Sequence, residues 1–415
     1  MSLQHSELAP PPLDLARWRI VPKALIVVGA LGALIGALVP SLRHQFAFSW
    51  LLAFMFFLSI CLGSLFLVML HHLFDASWSI GLRRFLEHLA CLLPIMGFLF
   101  IPIAIFAPQI YPWMRLIREG HPDHALLSKQ PLLTYAGYYA ASIGCFVIWW
   151  VLSRNLRAWS LRQDVSGSAE CTYRMRFHSY WGIFAFAITL SLAVILWVKS
   201  IEHEWFSTMY GVYYFAESVW TTLATAYVIM VLLKRQGLLR EVIGEEQAYF
   251  LGSVLFAFTV FYAYIHFAQY FIIWNANMPE ETFWYVLREK GSWWDIGLVI
   301  VFGHFLIPFL ALLRIDAKLS LPVMIPLAIW AWIMHFCDVS FNVMPMLHPN
   351  GFVLHWLDLA CLAVIGGVLV EVFLRYVAAH PAYPLKDPRY AELMKVYIEP
   401  ISAPTEPTPA GKPAK

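Results

Sequence analysis

The sequence has few charged residues for its length. Of its 415 residues only 13% are Asp, Glu, Lys or Arg, whereas 60% are hydrophobic, and the formal net charge is +2. A water-soluble domain of this size does not bury so large an apolar fraction, so the composition excludes a soluble globular protein. The small net charge also gives no indication of a nucleic-acid partner. We therefore expect an integral membrane protein.

Paired cysteines are absent. No Cys-x-x-Cys occurs, which excludes a Cys-x-x-Cys-His attachment site for c-type haem and a run of four iron–sulfur ligands. We interpret the isolated cysteines as small apolar helix residues and expect no covalently bound cofactor. The six positions are Cys61, Cys91, Cys145, Cys171, Cys337 and Cys361.

A signal peptide is not recognisable either. Residues 1–20 lack a short apolar core followed by a small-residue cleavage site. They are polar and rich in proline, and we expect them to remain attached as a cytoplasmic N-terminal segment.

Long apolar segments, in contrast, are abundant. Ten are long enough to cross a bilayer, which takes about 20 helical residues. The N-terminus, the even-numbered loops and the tail, counted with the adjacent segment ends, contain 21 Lys and Arg, against 7 for the odd-numbered loops, which predicts that both termini are cytoplasmic. The segments lie near residues 21–40, 46–72, 80–107, 132–153, 177–200, 205–233, 247–273, 294–314, 319–340 and 352–378.

Two further regions flank these segments. Loop 108–131 combines Tyr and Trp with charged residues, which is typical of a segment lying in the outer membrane interface. Residues 379–415 are predicted to form a cytoplasmic tail, and their Pro-, Ala-, Thr- and Lys-rich end is predicted to be disordered.

Ionisable residues at membrane depth are costly and are functional candidates by default. Glu217 lies about 12 residues into the sixth segment, or about 18 Å deep at about 1.5 Å per residue, near the midplane. It is either a protonated carboxylic acid bonded between helices or a member of a proton relay. Glu371 is also deep, but Arg375 lies one helical turn away, and we predict a structural ion pair.

The stretch "HHLFDASWSIGLRRFLEHLACLLP" joins the second and third segments on the cytoplasmic side. We expect Arg83 and Arg84 to extend to the membrane surface, with Glu87 and His88 one turn deeper. Two interpretations are open: a capped hairpin with an Arg–Glu pair, or the cytoplasmic mouth of a proton path. A metal site is not expected, because adjacent histidines cannot both point one way on a helix.

A third polar group occupies the outer halves of the last four segments. Some members are expected to be hydrogen-bonding links between helices, and the group as a whole suggests a wet cavity that opens outward. Haem b is a minor alternative, because it needs two facing imidazoles at one depth. The group consists of His266, Gln269, Tyr270, Asp295, His304, His335, Asp338, Asn342, His355 and Asp358.

Three stretches resemble a known family. They are "LHHLFDASWSIGLRRFLEHLACLLP", "WVKSIEHEWFSTMYGVYYFAES" and "FAQYFIIWNANMPEETFWYVLREKGSWW". They resemble the ActF-type membrane subunits of bacterial alternative complex III, a quinol:cytochrome c oxidoreductase. These subunits belong to the wider NrfD/polysulfide-reductase-like family. The similarity extends over residues 20 to about 395, and the tail "HPAYPLKDPRYAE" is also similar.

The resemblance implies a fold with two four-helix bundles, 46–200 and 205–340, flanked by the helices 21–40 and 352–378. It implies residence in the bacterial inner membrane. It also implies partners that carry the haem and iron–sulfur centres: a multihaem c-type cytochrome, an iron–sulfur subunit resembling molybdopterin enzymes, a monohaem cytochrome c and a second NrfD-like subunit. A terminal cytochrome oxidase is a further implied acceptor.

The sequence departs from the family at one motif. Leu196 stands before Trp197 where the family often has an acidic residue, and Lys199 stands where it often has Met. A proton route that relies on that acid is therefore not expected here.

Three hypotheses follow. In the first, the chain is a subunit without catalysis of its own that supports proton translocation, through Glu87, His88, Glu217, His266, His335 and Asp338. In the second, it binds a quinol such as menaquinol in an outer pocket whose candidates are His304, His355 and Asp358. In the third, it is a structural scaffold. A secondary transporter is not favoured, because paired broken helices are not evident in the sequence.

Overall fold

The computed structural model describes residue 15, residues 17–239 and residues 243–389. Within these residues every regular element is a helix, and nine helices are long and apolar enough to cross a membrane. A bent helix pair brings the number of spans to ten. The protein is therefore an all-α, multi-pass membrane protein, and this part of the prediction is confirmed.

We number the spans 1 to 10 in chain order, with the bent pair as span 3. Their bounds are Ile20–Leu38, Arg43–Phe74, Ile80–Leu99 with Ile101–Ile110, Tyr135–Ser166, Ala169–Trp197, Tyr210–Arg235, Glu245–Ala276, Trp293–Leu312, Leu321–Met346 and Trp356–Ala379. Short helices cover Pro112–Glu119, His124–Ser128, Pro279–Arg288 and Ile315–Leu319.

Span 3 is broken instead of continuous. Its two parts are bent by 54° around Phe100. Pro102 lies just after the break and Pro108 lies inside the second part. Proline lacks the backbone N–H of a helical hydrogen bond and clashes with the preceding turn, so it bends a helix locally.

Span 4 continues well beyond residue 153, its predicted end. Leu152, Leu156 and Ser160 are buried at four-residue spacing, so one face of the helix packs on its neighbours after the hydropathy has fallen. The left-handed Gly167 (φ 64°) ends the helix, and the Ser168 hydroxyl caps span 5 at once. The segment predicted to be a long loop is a helical hairpin.

Spans 2 and 6 form the centre of the molecule. Of the most apolar 18-residue window, 89% is buried in span 2 and 83% in span 6, more than in spans 1, 4, 5 and 7 to 10. The two helices approach closely at Gly63, where a Cβ atom would collide with Ser218 and Thr222. Small residues permit such close contacts between membrane helices.

The other spans surround this centre in two groups. Spans 3 and 5 pack on span 2, and span 4 packs on spans 3 and 5; spans 7 and 9 pack on span 6, and span 8 packs on spans 7 and 9. Spans 1 and 10 pack on each other and on span 2. Gly29 of span 1 lies directly against the backbone of span 10 at Ala360 and Val364.

The loops meet at two ends of the helix bundle. We call the end that contains residues 75–79, 164–176 and 380–389 the arginine end, because Arg83, Arg176 and Arg389 join these segments. Loop 108–131 lies at the opposite end. Most of the predicted N-terminal segment 1–20 and the predicted disordered end of the tail lie outside the described residues.

Candidate functional site

Glu217 lies on span 6 in the interior of the protein and is 1% exposed. Span 6 begins at Tyr210 and not at 205, so Glu217 lies about 10 Å from the start of the helix. It is therefore nearer than predicted to the end of the bundle that lies opposite the arginine end. Its Oε1 atom lies 2.5 Å from Nδ1 of His335 on span 9. The predicted midplane and outer-half residues are therefore direct neighbours.

The hydrogen-bonding partners of His335 show which of its ring nitrogens carries a hydrogen. The Ser59 hydroxyl donates to the carbonyl oxygen of Phe56 at 2.7 Å, so its oxygen is free to accept. His335 Nε2 lies 2.8 Å from this oxygen and 3.2 Å from the same carbonyl. Both neighbours act as acceptors, so Nε2 carries a hydrogen. The contact between Nδ1 and Glu217 then holds a second proton, on either the imidazole or the carboxyl.

Asp338 adds a second carboxyl to the pair. Tyr213 and Tyr262 both donate to its Oδ1, the latter at 2.8 Å. Its side chain also lies within hydrogen-bonding reach of Glu217. Asp338 Oδ2 receives no N–H or O–H donor from the residues that the structure describes. Two carboxyls bond to each other only when a proton lies between them.

We call Glu217, His335 and Asp338 the carboxyl–imidazole unit. The bond between His335 and Glu217, together with a bond between the two neighbouring carboxyls, would require two protons, and these would balance the two carboxylate charges. Such a neutral arrangement suits the complete burial of the unit, because an uncompensated charge in an apolar interior is strongly unfavourable. Its protons can shift between the three groups without leaving the interior.

A tyrosine connects this unit to a partly buried histidine on span 7. The hydroxyl of Tyr262 donates to Asp338 and lies 3.3 Å from Nδ1 of His266, one helical turn further along span 7. Because the Tyr262 proton is directed at Asp338, Nδ1 of His266 is the donor in this contact. We call the series from His335 through Glu217, Asp338 and Tyr262 to His266 the buried polar chain.

The buried polar chain ends at a cavity of about 460 Å³. Phe267 and Trp294 on its rim are 63% and 52% exposed, so the cavity opens sideways between spans 7 and 8. We call it the lateral cavity. Its size is within the usual range for small-molecule sites. The lining combines aromatic and apolar side chains with a few polar ones, namely Tyr262, His266, Tyr270, Tyr285, Arg288 and Glu289.

Arg288 closes one wall of the lateral cavity and was not singled out by the sequence. It forms a bidentate ion pair with Glu202, with both N–O distances 3.0 Å. It also donates to the carbonyl oxygens of Trp284, Phe341 and Asn342 at 2.8–3.1 Å. Every guanidinium nitrogen therefore has an acceptor. The two residues come from different loops, so no sequence spacing indicates the pair.

The three predicted quinone-pocket residues do not line the lateral cavity. Asp358 accepts from Ser49 at 2.5 Å and from the backbone N–H of His355 at 2.9 Å, and His355 caps the N-terminus of span 10. These two residues fix a helix terminus. Of the polar residues in the predicted outer group, His266 and Tyr270 are the ones that line the cavity.

His304 occupies a different and unusual position. It lies in a π-helical turn, Ile300–Leu306, and its ring is stacked between Trp220 and Tyr262 at centroid distances of 3.9 and 3.7 Å. Neither ring nitrogen has a hydrogen-bonding partner among the described residues. π-Turns are frequent at functional sites, and here the turn inserts an imidazole beside the buried polar chain.

Glu87 and His88 lie elsewhere, at the arginine end. Arg83 and Arg84 are 1% and 0% exposed, so the expectation that they extend to the membrane surface is wrong. Glu87 lies 3.1 Å from Arg83 and 3.2 Å from Arg84. The arginines do not need water because carboxylates surround them. We call this group the arginine cluster: Arg83, Arg84, Glu87, Asp164, Asp387 and Arg389.

The two halves of the predicted proton path are not connected in the described structure. No side-chain hydrogen bond there joins Glu87 or His88 to Glu217, and both ring nitrogens of His88 are without partners. His88 packs near the rings of Tyr376 and His380, each with a centroid distance of 6.0 Å. The contribution of Glu87 and His88 to proton movement stays a prediction.

Glu371 forms the ion pair expected with Arg375, at 3.1 Å, and also pairs with Arg19 from the segment before span 1. This third partner could not be read from local spacing, because 352 residues separate it from Glu371. The pair therefore links the two flanking spans.

One further group has the composition of a metal site. Asp123, His203 and Glu204 place one ligand atom each within 4.8 Å of one another at the opposite end. His203 Nε2 already contacts Asp123 at 2.6 Å. Burial acts to raise the pKa of Asp123, but His203, the N–H of Leu126 and Lys129 outweigh it and hold that pKa below its usual value. Partners within the chain thus already compensate the carboxylate.

Comparison with known proteins adds no further constraint on the site. No protein-family model matches this chain, and no curated protein is significantly similar to it in sequence.

Proposed function

We propose that this protein is a membrane subunit of a bacterial quinol:cytochrome c oxidoreductase of the alternative complex III type, and that its buried polar chain moves protons. The proposal rests on the three family-like stretches and on the chain of hydrogen bonds from His335 to His266. Both termini are assigned to the cytoplasm from the distribution of Lys and Arg. The electron carriers belong to the partner subunits named above.

The observation that carries the proposal is the carboxyl–imidazole unit. It holds two exchangeable protons in a neutral arrangement, and Tyr262 connects it to His266 at the lateral cavity. A proton that enters at His266 can pass through the Tyr262 hydroxyl to Asp338, while the Tyr262 proton is replaced from His266, and the series then carries one extra positive charge until a proton leaves it. A scaffold needs no such arrangement, because apolar residues would pack the same helices at lower desolvation cost.

The test is Glu217→Gln in the complete complex reconstituted into vesicles. Glutamine has the shape of glutamate but cannot exchange a proton. We expect the complex to assemble with its normal haem content and to release fewer protons per quinol oxidised. The control is Gln269→Glu, which adds a carboxyl next to the cavity-lining Tyr285 and leaves Glu217 unchanged. Unchanged proton release in Glu217→Gln would remove the proposed role.

A second candidate function concerns the lateral cavity itself. Its volume of about 460 Å³, its aromatic lining and its polar end at His266 suit the ring of a quinol such as menaquinol. A quinol hydroxyl beside His266 would be next to the last member of the buried polar chain, the one that lines the cavity. The two functions are therefore compatible, with the electrons passing to a haem or cluster of a partner subunit.

Binding of a quinone is measured separately from proton movement. We expect His266→Leu to lower the amount of quinone that copurifies with the complex, while Glu217→Gln leaves it unchanged. If His266→Leu retains the full amount of quinone, the lateral cavity is not the binding site. If both variants assemble normally with normal turnover and proton release, the chain acts as a scaffold.

A further inference from the structure

A second cavity, of about 360 Å³, lies at the arginine end between spans 3, 4 and 10. Its polar lining is basic: Arg154 and Arg157 of span 4 carry permanent positive charges, and His380, which follows the last residue of span 10, adds an imidazole. It is separate from the buried polar chain and shares none of its residues. The proposed function gives it no role.

Arg157 has unused hydrogen-bonding capacity. The residue is only 9% exposed, and its Nη1 atom has no partner among the described residues. Its guanidinium packs 4.2 Å from the ring of Tyr376 and contacts the thiol of Cys91. A buried guanidinium that lacks an acceptor is energetically unfavourable, so this geometry indicates an anionic ligand.

The carboxylates nearby are already paired. Arg84 forms ion pairs with Glu87 and Asp164, and Arg83 forms ion pairs with Glu87 and Asp387. No carboxylate in the described part of the chain forms an ion pair with Arg154 or Arg157. Burial, followed by the positive charges of Arg157 and Arg84, lowers the pKa of His380. The field in the cavity is therefore positive.

The face of span 4 that leads to this cavity is exposed and apolar. Ile143, Val147 and Trp150 are 64%, 47% and 41% exposed, and Arg154 continues the same face. The distance from Ile143 to Arg154 is about 16 Å along the helix, which is about one leaflet of a bilayer whose hydrocarbon core is about 30 Å thick. Trp150 lies beside the arginines, where tryptophan is favoured at the membrane interface.

We propose that the cavity formed by Arg154, Arg157 and His380 binds the phosphate group of an anionic phospholipid, whose acyl chains lie along Ile143, Val147 and Trp150. Arginine suits phosphate because its planar donors form two parallel hydrogen bonds with two oxygens. Basic pockets between membrane helices are recurrent sites for anionic headgroups. The apolar stripe is what distinguishes a lipid from a free phosphate ion.

The experiment is native mass spectrometry of the full-length protein after delipidation, titrated separately with phosphatidylglycerol, phosphatidylcholine and inorganic phosphate. We expect one phosphatidylglycerol per chain to bind about 10-fold more tightly than phosphatidylcholine. Losing one charge-assisted contact corresponds to about a 10-fold loss of affinity, so Arg157→Gln and Arg154→Gln are each expected to show that loss. Arg162→Gln, on the same helix but outside the cavity, should bind like the wild type.

Three outcomes would overturn the proposal. They are equal affinity for the two lipids, wild-type affinity in Arg154→Gln, and binding of inorganic phosphate as tight as that of phosphatidylglycerol. The last result would mean a site for a free anion. Arg154 is exposed, so its variant should fold even if Arg157→Gln does not.

Discussion

Glu217 on span 6 and His335 on span 9 are separated by 118 residues in the sequence and by 2.5 Å in the structure. The contact places a carboxyl and an imidazole side by side in a buried site, at hydrogen-bonding distance. Asp338, one turn from His335, extends the same unit towards the lateral cavity.

The first prediction concerns the identity of the residue at 217. Glu217→Gln should fold with a thermal stability close to that of the wild type, because an amide keeps an acceptor for His335 and can donate to Asp338. Glu217→Leu should lower the free energy of unfolding by about 1–3 kcal/mol, because it removes the partner of His335 Nδ1 and one polar neighbour of Asp338. Thermal unfolding of the purified protein in detergent measures both. Equal loss in both variants would show that the unit does not depend on hydrogen bonding at residue 217.

The second prediction concerns the buried pair of Arg288 and Glu202. Glu202→Leu should lower the free energy of unfolding by about 3–5 kcal/mol, because a buried guanidinium would lose its charge partner. The double variant with Arg288→Met should cost clearly less than the sum of the two single changes, since no unpaired charge is left. Glu204→Gln, an exposed position two residues away, should change stability by no more than about 0.5 kcal/mol. Strict additivity in the double variant would contradict the pairing.

The third prediction is a pH dependence at the arginine end. Burial acts to raise the pKa of Asp387, but Arg83 and Arg389 outweigh it and hold the pKa below its ordinary value. A lowered carboxyl pKa stabilises the fold above the unfolded-state value of about 4, and this stabilisation is lost as the pH falls through the folded-state pKa. The wild type should therefore be more stable than Asp387→Asn at pH 7, and the difference should shrink below about pH 4.

Melting curves between pH 7 and pH 3 measure this difference. Asp316→Asn is the matched control, because Asp316 is an exposed carboxylate in a pair with Arg314 at the protein surface. Its effect should be small at all pH values. A stability difference for Asp387→Asn that does not change with pH would mean that packing, not charge, fixes the tail.

The fourth prediction concerns the contact between the two central spans. Gly63→Ala should destabilise the protein by about 1–3 kcal/mol, because the new methyl group would collide with the backbone of span 6 at Ser218. Gly144→Ala on span 4 is the control. Its Cβ meets no atom within 4 Å, so alanine should be neutral or slightly stabilising there through its higher helix propensity. The same response at both positions would contradict the close packing of spans 2 and 6.

The sequence by itself determined the membrane class, the approximate position of every span and the presence of an acidic residue, Glu217, inside one of them. These properties depend on local composition: an apolar segment of sufficient length must be a helix in lipid, and an acidic residue inside it is costly wherever it points. The pairing of Glu371 with Arg375 also follows from a local rule, because residues four apart share a helix face.

Only the tertiary structure decided which polar groups meet. Two contacts illustrate this: the hydrogen bond between Glu217 and His335 and the ion pair between Arg288 and Glu202. Both depend on how helices that are distant in the sequence are rotated and on their depth. Hydropathy does not encode either quantity. For the same reason Arg83 and Arg84 were expected at the membrane surface: the sequence shows that they are charged, but not that Asp387 and Asp164 return from distant segments to neutralise them in the interior.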